Sequence, residues 1–142
     1  MKVLALNCGS SSLKFRLSET PADPSGTGER LAWGSVEGVG HRGRVDFATL
    51  DGATMRASVE IAHHGAAMDQ TLKLLGERGL AADIEAVGHR IVDGGARFAA
   101  PTLVDDEITS AMNARLITLQ LGNGCSAAAP SGPDIRWTPR WV

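Results

Sequence analysis

Apolar and polar residues alternate along much of the first sixty positions, which is typical of half-buried β-strands. The segments with this pattern are Lys2–Leu6, Leu13–Leu17, Leu31–Val36 and Ala53–Ile61. The first two predict a hairpin, and the last two predict strands joined through Gly38, Gly40 and Gly43. A segment rich in Pro, Gly and Ser, Pro21–Gly28, predicts a loop. The N-terminal part of the chain is therefore predicted to be mostly sheet.

The periodicity then becomes helical. Met68, Leu72 and Leu75 recur at i, i+4 and i+7, which predicts an amphipathic helix over Ala66–Arg78. Gly79 directly after it is suited to a C-terminal cap.

Further elements follow the helix. Ile84–Val92 is mostly apolar and predicts a strand buried in a sheet. Asp105–Ala114 predicts a helix with acids near its N-terminus, and Leu116–Leu121 predicts another strand. This mixture of strands and helices predicts an α/β fold.

Composition excludes several classes of function. The 142 residues include 14 Lys and Arg against 16 Asp and Glu, and this net charge of −2 does not favour nucleic acid as a partner. No apolar run approaches the roughly 20 residues that span a bilayer, so no membrane association is expected, and no signal peptide is visible. Cys8 and Cys125 have no C-x-x-C pattern and suit a reducing, cytoplasmic location.

The segment Asn7–Lys14, with the sequence Asn-Cys-Gly-Ser-Ser-Ser-Leu-Lys, is the strongest candidate for chemistry. A small-residue turn between two strands can present backbone N–H groups to a phosphate, and Gly9 lets a ligand approach closely. Ser hydroxyls, the Lys14 cation and the Asn7 amide oxygen add suitable donors and a metal ligand. The same residues also favour an ordinary tight turn. The spacing is not that of a Walker A loop.

Three segments in the correct order resemble the acetate kinase family. The opening turn is similar to the family's Asn-x-Gly-Ser-Ser-Ser-x-Lys segment. Val87–Gly95 resembles its Gly-His-Arg-x-Val-His-Gly-Gly segment, and Leu119–Gly124 resembles its His-Leu-Gly-Asn-Gly nucleotide loop.

The resemblance implies a ribonuclease-H-like α/β domain, as in acetate and sugar kinases, heat-shock 70 ATPases and actin, with a mixed sheet and flanking helices, here truncated. It implies phosphoryl transfer from ATP to acetate, giving acetyl phosphate and ADP, with Mg²⁺. Propionate or another short-chain acid is an alternative substrate. Full-length members have two such domains and form homodimers, for which much of the surface is missing from this shorter chain.

By resemblance, Asn7 helps to hold Mg²⁺, Lys14 neutralises phosphate charge, and Arg90 contacts the substrate carboxylate. The alternatives are a turn-capping Asn7, a solvated Lys14, and an Arg90 in a structural ion pair. Arg90 stands in an otherwise apolar strand, where an unpaired buried cation would be expensive. His89 is expected to be a packed or hydrogen-bonded structural residue.

The nucleotide loop implied by the resemblance consists of Gln120, Leu121, Gly122, Asn123 and Gly124. Taken alone, its Asn-Gly pair favours a strand-ending turn. The chain departs from the family pattern at Asp93 and Gln120, each in place of a His, and at Ala96, in place of an acid. His63 and His64 lack acidic or Cys partners at metal-ligand spacing, so no metal site is expected there.

Two breaks divide the chain into predicted segments. Residues 1–112 follow the family's N-terminal domain, residues 113–129 are a fragment of the nucleotide-binding domain, and residues 130–142 form a tail. The family's catalytic Asp, in a Phe-Asp-Thr context, belongs to the segment absent at the first break. Arg136–Val142 can be encoded by codons that give Val-Asp-Thr-Ser-Met-Gly in another frame, which indicates a frameshift.

These breaks affect the expected activity of the chain. The missing segments include groups that stabilise the transition state, so the 142-residue chain is expected to be inactive as a kinase. The alternatives are a gene remnant with at most weak nucleotide binding and, less favoured, a small interaction domain.

Overall fold

The computed structural model describes residues 1–21, 28–90 and 102–108. In this part of the chain, six strands form one sheet in the order β5-β4-β3-β2-β1-β6. Strands β1 to β5 form an antiparallel meander, and β6 lies parallel to β1. The strands are β1 Lys2–Cys8, β2 Ser12–Glu19, β3 Glu29–Glu37, β4 His41–Thr49, β5 Thr54–Ile61 and β6 Ile84–Arg90.

The four strands predicted before the helix are confirmed, but the linker predicted between the last two is wrong. Strand β4 occupies that position, and Gly43 lies within it. A Cβ at Gly43 would lie 2.4 Å from the Glu37 carbonyl oxygen of β3, so the close approach of the two strands requires glycine there. Gly38 and Gly40, with φ of 76° and 92°, form the actual turn.

Helix α1, His64–Glu77, confirms the predicted helix and connects β5 to β6. His63 caps its N-terminus, because its Nδ1 accepts a hydrogen bond of 3.1 Å from the Ala66 amide. Gly79 ends the helix with φ of 66°, and its amide donates to the Gly76 carbonyl. The Leu80 amide donates to the Leu75 carbonyl, which completes a Schellman motif and confirms the predicted glycine cap.

The core lies between α1 and one face of the sheet, here called the apolar face. Alternation along β2 places Leu13, Phe15 and Leu17 on this face, where all three are buried. Leu74 and Leu75 of α1 are part of the same buried cluster. The opposite face, here called the polar face, carries one continuous row of paired residues, one from each strand: Arg56, Asp46, Ser35, Lys14, Asn7 and Arg90.

Strand β6 confirms the strand predicted from Ile84, although the end predicted at Val92 lies outside the described residues. The prediction that this strand is buried is wrong for residues 84–90, all of which are half-buried or exposed. Within the described sheet β6 is an edge strand, so only one of its sides pairs with a neighbour.

Of the elements predicted after β6, the structure describes only the start of one helix. The predicted helix Asp105–Ala114 is described as far as residue 108, and helical backbone begins at Asp106. The Asp105 carboxylate accepts a hydrogen bond of 2.8 Å from the Ile108 amide, as an N-cap residue does. The strand Leu116–Leu121, the segments 113–129 and 130–142, and most of the Pro21–Gly28 loop lie outside the described residues. Within the described ranges, no helix combines the length and apolarity that crossing a bilayer requires.

Candidate functional site

Three residues selected from the sequence stand side by side on the polar face. Asn7 of β1 is the direct partner of Lys14 in β2 and of Arg90 in β6. Directly paired residues on neighbouring strands project to the same face, so the three side chains emerge together. They lie at the end of the sheet where β1 and β6 finish and β2 begins.

The exposure of Arg90 differs from the sequence-based argument. Arg90 is exposed, so the premise that it is a buried cation is wrong. It is the last described residue of β6, which is an edge strand of the described sheet, and it projects from the polar face, away from the core. In the described ranges, no carboxylate forms a salt bridge with Arg90 or Lys14. The described residues therefore do not support the structural ion pair proposed as the alternative for Arg90.

The turn between β1 and β2, residues 9–12, continues this end of the sheet. It is a tight turn in which the Gly9 amide donates a hydrogen bond of 2.8 Å to the Ser12 carbonyl. The carbonyl of Ser11 accepts from the Val39 amide at 3.0 Å, and the carbonyl of Gly9 lies 2.7 Å from His64 Nε2. Three of the four carbonyls in the turn are thus fixed by groups of the protein.

Two backbone amides of the turn, unlike most of its carbonyls, are not hydrogen-bonded to described residues. Ser10 and Ser11 are exposed, and their amides donate to no group in the described part of the chain. A turn whose neighbouring backbone amides are left available can act as an anion-binding nest. A Cβ at Gly9 would lie 3.0 Å from Ser12 Oγ, so a larger residue there would require the Ser12 side chain to shift. The structure shows the tight turn, and the phosphate loop stays a prediction.

Behind this site, on the apolar face, His89 contacts Cys8. His89 Nε2 lies 3.2 Å from Cys8 Sγ, and the imidazole is half-buried. The hydrogen bond with Cys8 raises the pKa of His89, and burial opposes this effect. His89 thus has the hydrogen-bonded environment expected of a structural histidine, and the contact links β1 to β6 immediately beside Asn7 and Arg90.

At the far end of the row, the polar face carries an ion-pair network. Asp46 bridges Arg44, at 2.8 Å, and Arg56, and Arg44 also contacts Glu37 at 2.9 Å. The hydrogen bond from Arg56 is the largest cause of the lowered pKa of Asp46, and that from Arg44 adds to it. These charges are paired with one another, unlike Lys14 and Arg90 among the described residues.

Several predicted residues cannot be placed. Gln120, Leu121, Gly122, Asn123 and Gly124 lie outside the described residues, and so do Asp93 and Ala96. The contact of His64 with the turn was missed, because these residues are separated by 55 positions and no local pattern in the sequence relates them.

The comparison with known proteins decides the family. The model of the Acetokinase family matches residues 2–119, which is most of the chain and includes Asn7, Lys14 and Arg90. The chain belongs to this acetokinase family. The expected family is thereby confirmed.

Similar curated proteins of the acetokinase family are acetate kinases. The chain is 36% identical over 110 residues to an acetate kinase of Bacillus anthracis, a match that covers 75% of this chain and 26% of that protein. It is 38% identical over 117 residues to one of Clostridium botulinum (strain Okra / Type B1), covering 79% and 28% respectively. The chain thus spans about a quarter of the length of these relatives.

Solved structures confirm the fold class of this acetokinase-family chain. A crystal structure of Porphyromonas gingivalis acetate kinase matches with a TM-score of 0.71 and 30% identity, covering 88% of this chain and 32% of that chain. A propionate kinase from Francisella tularensis matches with a TM-score of 0.70 and 28% identity, covering 86% and 30%. The mixed sheet with its helix is an α/β domain of this type.

Proposed function

We propose that this end of the sheet serves phosphoryl transfer from ATP to acetate, with Mg²⁺, as the acetokinase family membership suggests. The observation that carries the proposal is the row Lys14–Asn7–Arg90 beside a turn with two available amides. We also propose that the partners of the protein are small molecules rather than nucleic acid or membrane, and that its location is cytoplasmic.

The chemistry of the donors fits a nucleotide phosphate. The Ser10 and Ser11 amides and the Lys14 ammonium are hydrogen-bond donors with positive charge or partial charge, which suits phosphate oxygens. The Asn7 amide oxygen is a hard ligand, and Mg²⁺ commonly takes few protein oxygens together with water and phosphate. Mg²⁺ would neutralise phosphate charge as the phosphoryl group moves, and Asn7 would hold it directly or through water.

The arrangement also supports two adjacent substrates. Lys14 and Arg90 flank Asn7 on neighbouring strands, so their Cα atoms lie about 10 Å apart, twice the usual strand spacing. Their long side chains can converge above Asn7, with Lys14 on phosphate and Arg90 on a carboxylate. A guanidinium is suited to bidentate binding of a carboxylate. Acetate is the proposed acceptor, and propionate is the alternative, since one structural relative is a propionate kinase.

We also propose that the 142-residue chain, assayed by itself, binds Mg-ATP weakly and does not turn it over. Phosphoryl transfer depends on several groups that position and neutralise the reacting phosphate. The 142 residues do not contain the Phe-Asp-Thr segment in which the family places its catalytic Asp. We therefore propose that the chain by itself is an inactive remnant that binds nucleotide weakly.

Isothermal titration with Mg-ATP tests the proposed binding. Lys14→Ala should weaken binding about tenfold or more, because it removes a charged donor to phosphate. Arg16→Ala is the matched control, since Arg16 is an exposed cation two positions along the same strand and face. Equal losses in both variants, or no binding by the folded wild-type chain, would contradict the proposal. A parallel assay for acetyl phosphate, with acetate and then propionate as acceptor, should show no turnover, and measurable product would overturn the proposed inactivity.

A further inference from the structure

His64 joins helix α1 to the turn that precedes Lys14. Its Nε2 lies 2.7 Å from the carbonyl oxygen of Gly9. A carbonyl oxygen only accepts, so the His64 Nε2–H must be the donor. We propose that His64 is a positioning residue, which fixes the direction of the Ser10 amide for a phosphate. This inference rests on the proposed phosphate-binding function of the turn.

The geometry of the peptide unit explains how one contact controls the other group. The carbonyl of Gly9 and the amide of Ser10 belong to the same planar, trans peptide and point in opposite directions. A donor that holds the carbonyl toward α1 therefore turns the Ser10 N–H away from α1. Ser10 is exposed, so a ligand can reach this part of the turn.

The other contacts of the turn do not replace this one. The Val39 amide donates to the carbonyl of Ser11, which fixes the Ser11–Ser12 peptide. The Gly9 amide donates to the carbonyl of Ser12. Within the described residues, His64 is the group that contacts the carbonyl of Gly9. Rotation of the Gly9–Ser10 peptide, which glycine permits more readily than other residues, is therefore opposed by His64.

The helix gives His64 a rigid base. The neighbouring His63 caps α1 through the Ala66 amide, and Ala67, three positions after His64, is fully buried. Leu74 and Leu75 anchor the same helix in the core. The position of the Ser10 amide is thus tied to the packing of α1 on the sheet.

The direct test compares the backbone amide of Ser10 in ¹H–¹⁵N spectra and hydrogen exchange of three variants. His64→Ala should shift the Ser10 signal and speed its exchange, whereas His64→Gln, whose side-chain amide can replace the Nε2–H donor, should restore most of the wild-type behaviour. His63→Ser is the control, because serine preserves the helix cap and should leave Ser10 unchanged. An unchanged Ser10 signal in folded His64→Ala would overturn the inference. If that variant does not fold, failure of folded His64→Gln to keep the wild-type signal would do so.

The affinity for Mg-ATP is a second measurement that tests the role of His64. Loss of one hydrogen bond should weaken Mg-ATP binding about two- to tenfold in His64→Ala, with rescue in His64→Gln. If wild type binds Mg-ATP and both variants bind equally well, the positioning role is wrong although the phosphate function stands. If wild type binds no Mg-ATP, the proposed function fails, and the Ser10 spectra still decide whether His64 orients the peptide.

Discussion

The two faces of the sheet differ in what their side chains contact. On the apolar face, residues such as Leu17 are fully buried against other apolar groups. On the polar face, Asn7, Lys14 and Arg90 lie in one row, and the two cations have no acidic partner among the described residues. One strand supplies both faces, because successive side chains point in opposite directions. The apolar face therefore determines stability, and the polar face is available for ligand binding.

The largest expected difference in unfolding free energy is between two adjacent residues of β2 that project from opposite faces. Leu17→Ala should lower the free energy of unfolding by about 2–5 kcal/mol, because it removes a fully buried side chain and leaves a cavity. Arg16→Ala, one position earlier and on the polar face, should change it by less than about 0.5 kcal/mol. Urea denaturation measures both. Similar losses at the two positions would contradict the assignment of the faces.

Substitution of two glycines, one in the sheet and one in the helix, should change stability in opposite directions. A Cβ at Gly34 would lie 2.2 Å from the Asp46 carbonyl oxygen and 2.8 Å from the Phe15 ring, whereas one at Gly76 would meet nothing within 4 Å. Gly34→Ala should therefore destabilise by about 1–3 kcal/mol. Gly76→Ala should stabilise by about 0.5–1 kcal/mol, because glycine is unfavourable in a helix. Thermal unfolding of both variants should show shifts of opposite sign, and a destabilised Gly76→Ala would be evidence against the packing of α1.

The Cys8–His89 contact gives an effect that depends on pH. The hydrogen bond raises the pKa of His89 in the folded protein, so the protonated imidazole is the form it stabilises. This contribution is fully present below the ordinary pKa of about 6.5 and is lost as pH rises through the raised folded value. Titration of His89 by NMR should give a lower pKa in Cys8→Ala than in wild type. The stability difference between the two proteins should shrink from pH 5 to pH 8, and a difference that grows would have the wrong sign.

The smallest expected effect belongs to the ion pairs of the polar face. Asp46 is paired with Arg56 and Arg44, which lower its pKa, but exposed pairs are screened by solvent. Its contribution is present above the ordinary carboxyl pKa of 3.8 and is lost as pH falls through the lowered value. Asp46→Asn should leave the melting temperature at pH 7 nearly unchanged. A large drop would mean that the polar face also carries stability.

The sequence predicted local elements better than contacts between distant residues. The hairpin and α1 were evident because period-2 and period-3.6 patterns are local, and Gly79 identified the helix end. Strand β4 was missed because Gly43 looked like part of a linker, while its actual role depends on Glu37 in the neighbouring strand. The register that aligns Asn7 with Arg90 comes from pairing across 83 positions, which no local pattern contains.

The candidate site was also predicted only in part, because its motifs are local in the sequence and its contacts are not. Asn7, Lys14 and Arg90 were selected through their motifs, and the structure adds that they stand in one row. The exposure of Arg90 was misjudged, because an apolar sequence around it does not show that its strand is at the edge of the described sheet. The role of His64 depends on how α1 packs over the sheet, so it was visible only in three dimensions.

A titration of the ¹⁵N-labelled chain with Mg-ATP, observed in assigned ¹H–¹⁵N spectra, tests directly whether this end of the polar face binds nucleotide phosphate. We expect saturable shifts at Asn7, at residues 9–14 and at Arg90, with little change in β5 at the far end of the row. A folded chain that shows no saturable shifts at residues 9–14, or shows them only in β4 and β5, would contradict the assignment of this end of the polar face to nucleotide phosphate.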